Sequence, residues 1–132
     1  MKAIVESWEP KFNRLAPQVK KSALKLGRFL GVEKAQVEVY LVGNSFMEKN
    51  VLAFPAAKDF PRPDVKGKAL GEIYLNPEYI KNNDEDLTFM LVHGFLHLLG
   101  YDHKKKNDII NMEKKEQLLL KKLFHVKSNR RA

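Results

Sequence analysis

The sequence predicts one small domain in which strands and helices alternate around a single buried helix. Three observations predict it. The chain has 132 residues, enough for one hydrophobic core and too few for two. Short segments that alternate apolar and polar residues are separated by segments of helical periodicity. Finally, residues 87–100, LTFMLVHGFLHLLG, are apolar on almost every face, and such a helix is one packed on all sides. The domain is expected to occupy residues 1–126, followed by a disordered basic tail, KSNRRA, over residues 127–132.

Each element has its own signal. Residues 3–7 (AIVES) read as a strand. Residues 16–30 read as an amphipathic helix: Pro17 stands in the first turn, where no N–H is needed, Val19, Ala23, Leu26 and Leu30 share a face, and Gly31 stops it. Residues 36–42 (QVEVYLV) put Val37, Val39 and Leu41 on one side of a strand. Residues 50–55 (NVLAFP) make a short strand ended by proline, and the prolines at 55, 61 and 63 with Gly67 make residues 55–68 a loop, the expected substrate-facing segment. Residues 69–77 (ALGEIYLNP) are another strand, ended by Pro77. The apolar helix is expected to start near residues 84–86, where acidic side chains cap free amides and suit the positive end of the dipole. A last helix over residues 108–126 is expected to turn Ile109, Met112, Leu119, Leu120 and Leu123 inward. Nothing repeats internally.

Composition narrows the function classes. The chain holds 24 lysines and arginines against 16 acidic residues, a net charge of +8, which suits a polyanionic partner such as nucleic acid and equally suits a merely well-solvated surface. Without cysteine there are no disulfides and no thiolate metal sites. The N-terminus does not read as a secretory signal, and no apolar run approaches the roughly 18 to 20 residues that span a bilayer. A soluble cytoplasmic protein with no membrane partner is expected.

The chemistry is concentrated in HGFLHLLGYDH, residues 93–103, which contains three of the four histidines. A buried imidazole without a partner costs about 1–3 kcal/mol, so something must satisfy His93 and His97. Residues four apart on a helix lie about 40° apart around its axis and about 6 Å along it, so two ring nitrogens can converge on one ion. Gly100 then allows a left-handed stop, the chain reverses, and His103 arrives as a third ligand. Three neutral nitrogens suit one zinc ion with a fourth position for water, the arrangement of a catalytic site. Asp102 either orients a ligand or caps the turn. Tyr101 reads as packing and His125 as a surface residue. Gly94, inside the helix, suggests a close approach of sheet or substrate, close packing being the safer choice.

The same eleven residues resemble the motif HGxLHLxGYDH of the YbeY family, bacterial metal-dependent endoribonucleases of ribosomal RNA maturation and ribosome quality control. NVLAFP is similar to the family's NVLSFP, LGEIYLNPEYI to its LGDI strand, and Met112 with Glu116 and Gln117 to its last helix, so the likeness runs from about residue 36 to 124. It implies an α+β fold with a small, mostly four-stranded mixed sheet packed by helices, and zinc held by His93, His97 and His103. It further implies ribosomal RNA as substrate, the small ribosomal subunit or its proteins as partners, and a monomer. The chain departs from the family before NVLAFP. Members carry a longer stretch of the type NxxYRxxDxPT with a functional arginine, where this chain has only NSFMEK, residues 44–49. Lys49, taken with His97 as catalytic, or Lys58 and Arg62, taken as substrate-binding, would supply the substitute charge, although an ammonium is not a bidentate guanidinium; solvated surface is the competing reading of all three.

A hydrolytic endoribonuclease acting on single-stranded ribosomal RNA is therefore expected, with Phe54 and Phe60 either stacking on bases or, the favoured reading, filling the core. Met112 is either a floor beneath the metal or core filler. Two other classes compete. A metallopeptidase shares the HxxxHxxGxxH spacing, but its general base is a glutamate after the first histidine, where this chain has Gly94. A non-catalytic RNA-binding assembly factor would use the metal only structurally.

Overall fold

Residues 1–56, 68–101 and 105–124 are described by the computed structural model of the chain. Strands Lys2–Ser7 (β1), Gln36–Leu41 (β2), Val51–Pro55 (β3) and Ala69–Leu75 (β4) form one mixed sheet in the order β1-β2-β4-β3. β1 pairs parallel to β2 and β2 parallel to β4, whereas β3 runs antiparallel to β4 and forms an edge. The architecture is α+β, as the resemblance implies. Alternation decides which face is covered: Val37, Val39, Leu41, Ile73 and Leu75 are fully buried beneath the helices.

Helix α1, Ala16–Phe29, returns the chain from β1 to β2 and buries Val19, Ala23 and Leu26. It ends as its glycine requires. Gly31 has φ +70°, and the N–H groups of Gly31 and Val32 donate back to the carbonyls of Arg28 and Gly27. Leu30, expected on the buried face, is only half-buried. Two elements had no expectation: a 3-10 helix, Pro10–Leu15, and helix α2, Pro77–Asn82. Pro77 does end a strand, and it also begins a helix, because the buried Asn76 accepts from the Tyr79 N–H at 3.1 Å and proline loses nothing in a first turn. Asn76 also donates to the Asn44 side chain (2.9 Å) and to the Met47 carbonyl (2.7 Å), tying the short segment before β3 to the end of β4.

Helix α3, Leu87–Leu98, starts where the acidic residues place it, the Asp86 carboxylate accepting from the Phe89 N–H at 2.8 Å. Leu91, Val92, Phe95 and Leu96 are almost wholly buried, each contributing about 1.5–3 kcal/mol relative to exposure. Gly94 fits the close-packing reading: a Cβ there would stand 3.0 Å from Ile73 Cγ2 and 3.2 Å from Val51 Cγ2, so glycine lets the helix lie down on β3 and β4. One expectation fails. The helix is not buried all round, for Phe89, His93 and His97 are half-buried, and the two histidines face a cleft.

The stop after α3 is the one its glycine predicts. Gly100 has φ +98°, its N–H donates to the His97 carbonyl (3.1 Å), and the Tyr101 N–H reaches back to Leu96 (3.0 Å). Gly100→Ala is expected to lower stability by about 1–2 kcal/mol, since an L side chain is strained in this region; urea denaturation against the wild-type chain measures it.

Helix α4, Lys106–Leu123, packs on α3 and α1 and buries Met112, Glu116, Leu119 and Leu123. Leu120 is half-buried, and Ile109, expected to point inward, is 37% exposed, because the inward stripe begins only at Met112. The opposite face of the sheet carries Tyr40 and Tyr74, stacked at 5.1 Å between ring centroids, with Trp8, Phe46 and Phe54 around them. Burial, and then the Glu38 carboxylate that accepts its hydroxyl hydrogen bond, push the Tyr40 pKa upward. Phe54 is therefore not core. It is half-exposed and edge-on to Tyr74. Among the described residues no helix is long and apolar enough to cross a membrane.

Candidate metal centre

A cleft of about 560 Å³ opens between α3 and the edge strand β3, lined among others by His93, His97, Lys49, Val51, Ala53 and Tyr101. Helical spacing puts both rings on one line, and each ring is then oriented by its Nδ1. His93 Nδ1 lies 2.7 Å from Glu116 Oε2 on α4, a carboxylate only 6% exposed. His97 Nδ1 lies 2.9 Å from the carbonyl oxygen of Tyr101, which the turn at Gly100 brings back beneath the ring. A carbonyl only accepts, so the His97 proton is assigned to Nδ1; the carboxylate assigns the His93 proton likewise. The basic nitrogen of each neutral ring is thus Nε2.

Those two Nε2 atoms face one another at 3.1 Å. Two lone pairs directed together at that distance repel unless a cation lies between them, so the donor set fits a shared metal ion. Nitrogens bound to one tetrahedral zinc at about 2.0–2.1 Å stand about 3.3 Å apart, close to what is found. Among the described residues His93 and His97 are the ligand-type rings that converge; the third expected ligand, His103, lies outside the described residues, as do Asp102, Lys58, Arg62, Phe60 and His125.

The cleft also takes in Lys49, exposed at the end of the short segment that Asn76 ties down. Phe54 is not among its lining residues. Met112 is 1% exposed in the core beside α3 and fills it. Two contributors escaped the reading of the sequence. Likeness to the family marks Glu116 without giving it a role, yet it is the only charged residue among those that α4 buries. Tyr101 does pack against the core, but what it supplies to the site is its backbone oxygen.

A family profile described as endoribonuclease YbeY matches residues 42–124. Among curated relatives, the endoribonuclease YbeY of Rhizobium etli is 44% identical over 84 residues, 56% of this chain and 47% of that protein. The endoribonuclease YbeY of Bartonella quintana is 38% identical over 88 residues, 61% of this chain and 55% of that protein. The chain thus spans about half the length of the curated relatives it matches. The solution structure of TM1509 from Thermotoga maritima superposes with a TM-score of 0.60 at 23% identity, covering 96% of this chain and 93% of that one, a likeness of fold.

Proposed function

Since the chain belongs to the endoribonuclease YbeY family, we propose that it is a zinc-dependent, single-strand-specific endoribonuclease that matures ribosomal RNA in the cytoplasm and takes part in ribosome quality control. The observation that carries the proposal is the facing pair of Nε2 atoms, 3.1 Å apart, with both Nδ1 atoms committed to oxygen acceptors. His93, His97 and His103 would hold the ion. When bound, zinc supplies polarisation of a phosphoryl oxygen and an acidified water molecule. The chain's own residues do the rest. Glu116 and the Tyr101 carbonyl keep the two rings aimed at one point, which removes reorganisation from the binding step. Lys49 places a cation on the cleft wall for a phosphate of the substrate, and the net charge of +8 favours a polyanion. Small ribosomal subunit components are the partners this role requires, with a monomer as the acting species.

Packing speaks against the peptidase. A glutamate at position 94 would have to pass Ile73 and Val51, whose methyl carbons already stand 3.0 and 3.2 Å from a bare Cβ. The carboxylate base of that mechanism would enter only if those neighbours shifted. The proposal is tested by metal analysis of purified protein alongside cleavage of a single-stranded ribosomal RNA fragment. Expected are close to one zinc per chain, cleavage lost on chelation and restored by zinc, and RNA affinity that falls as salt rises. Metal-free protein that still cuts, or zinc-loaded protein that cuts unstructured protein and not RNA, would overturn it.

A further inference from the structure

Among the described residues no further strand pairs with the outer edge of β3, which forms the cleft wall opposite the histidines. The Asn76 N–H donates to the Asn50 carbonyl at 3.0 Å and the Ala56 N–H to the Leu70 carbonyl at 2.9 Å. With the antiparallel register Val51↔Leu75 through Pro55↔Gly71, the even-numbered residues of β3 bond into the sheet. Val51, Ala53 and Pro55 therefore turn their backbone groups away from β4, and all three line the cleft.

Two of those three positions offer no donor. The Val51 N–H is taken by the side chain of Asn50, Oδ1 accepting at 2.7 Å, while the Asn50 amide nitrogen is steadied by Glu85 at 3.3 and 3.4 Å. Pro55 has no N–H. Ala53 supplies the remaining donor of this edge, between carbonyls on either side. An extended peptide adding to an edge needs donors and acceptors in alternation, and this edge lacks most of the donors. A phosphodiester presents acceptor oxygens and is commonly bound by backbone N–H groups. The first and last residues of NVLAFP thus act together: asparagine occupies one donor, proline deletes another, and the strand is left with a single one in the cleft that also holds Lys49 and both histidines.

We propose that the Ala53 N–H on the edge of β3 donates to a phosphate oxygen of the bound RNA strand, making this edge a phosphodiester-binding wall. The inference rests on the reading of the cleft as an RNA-cleaving site. The experiment uses isotope-labelled, zinc-loaded protein and a fluorescein-labelled single-stranded RNA oligonucleotide. On adding the RNA, the Ala53 amide resonance is expected to move, while those of Leu52 and Phe54, bonded into the sheet, stay. Proline is accommodated on an edge strand where its missing N–H faces outward, so Ala53→Pro deletes this donor alone; a folded Ala53→Pro chain is expected to bind the RNA about tenfold more weakly, the effect of one hydrogen bond to a charged group. If the wild-type chain binds no RNA, the reading of the cleft fails. If it binds RNA and the Ala53 resonance stays, or folded Ala53→Pro binds as tightly, the assignment of Ala53 fails and the reading of the cleft stands.

Discussion

Replacing His97 by alanine is expected to abolish RNA cleavage and zinc binding while leaving a folded protein. The residue lies on the half-buried line of α3 facing the cleft, so its removal opens space toward solvent rather than a cavity in the core. Among what the fold loses is the hydrogen bond from Nδ1 to the Tyr101 carbonyl, worth about 1 kcal/mol. What the site loses is one of two nitrogens that meet at 3.1 Å. The ligands that remain, His93 and the proposed His103, cannot hold the ion with comparable strength, and the loss should exceed the roughly 10–100-fold that removal of an outer partner costs. Zinc content, cleavage of single-stranded ribosomal RNA and urea denaturation in chelator, measured on the same preparation, separate the possibilities. A folded variant that binds RNA and does not cut it identifies zinc as catalytic. A variant that unfolds, beside a wild-type chain that chelation also unfolds, assigns the metal a structural role, and a folded variant that cuts at the wild-type rate removes the metal from the mechanism.

The parts of this site legible in the sequence are those whose geometry is local. His93 and His97 share a face because four residues make slightly more than a helical turn, and Gly100 stops the helix because its φ of +98° is open to glycine. Glu116 is not local: its partner is 23 residues away, and α4 must first dock on α3. A signal existed, a carboxylate in register with Met112, Leu119 and Leu123, but periodicity alone does not say what a buried charge meets. The same periodicity, carried one turn too far, turns Ile109 inward, whereas the residue is 37% exposed. The fully apolar α3 pattern overstates burial because hydrophobicity reports what a side chain tolerates, whereas the cleft along His93 and His97 is set by where β3 ends the sheet. Helix α2 is six residues long, too short for a periodic signal, and its only announcement is the Asn76-Pro77-Glu78 start.

Glu116→Leu is expected to lower zinc affinity about 10–100-fold and to lower the stability of the metal-free protein by about 1–3 kcal/mol. The two effects come from different states. The carboxylate accepts the Nδ1 proton of His93 at 2.7 Å, and with zinc bound it would fix the tautomer and the ring angle that direct Nε2 toward the ion. Leucine fills similar volume and accepts nothing, so His93 can turn or carry its proton on the wrong nitrogen. Without zinc, the same carboxylate, 6% exposed among Met112, Leu119 and Leu123, still pairs with His93 Nδ1, and removing one partner of such a hydrogen bond leaves the other unsatisfied at a cost of about 1–3 kcal/mol. Glu116→Gln keeps an acceptor oxygen and gives up the charge, so its zinc affinity should fall between those of the wild type and Glu116→Leu. Competition against a chelating dye gives the affinities, and urea denaturation in chelator gives the metal-free stabilities. Unchanged zinc affinity in folded Glu116→Leu would show that His93 is aimed by helix packing alone, and a loss of metal-free stability well beyond that of one hydrogen bond would show that the carboxylate holds α4 to α3 rather than the ring to its ion.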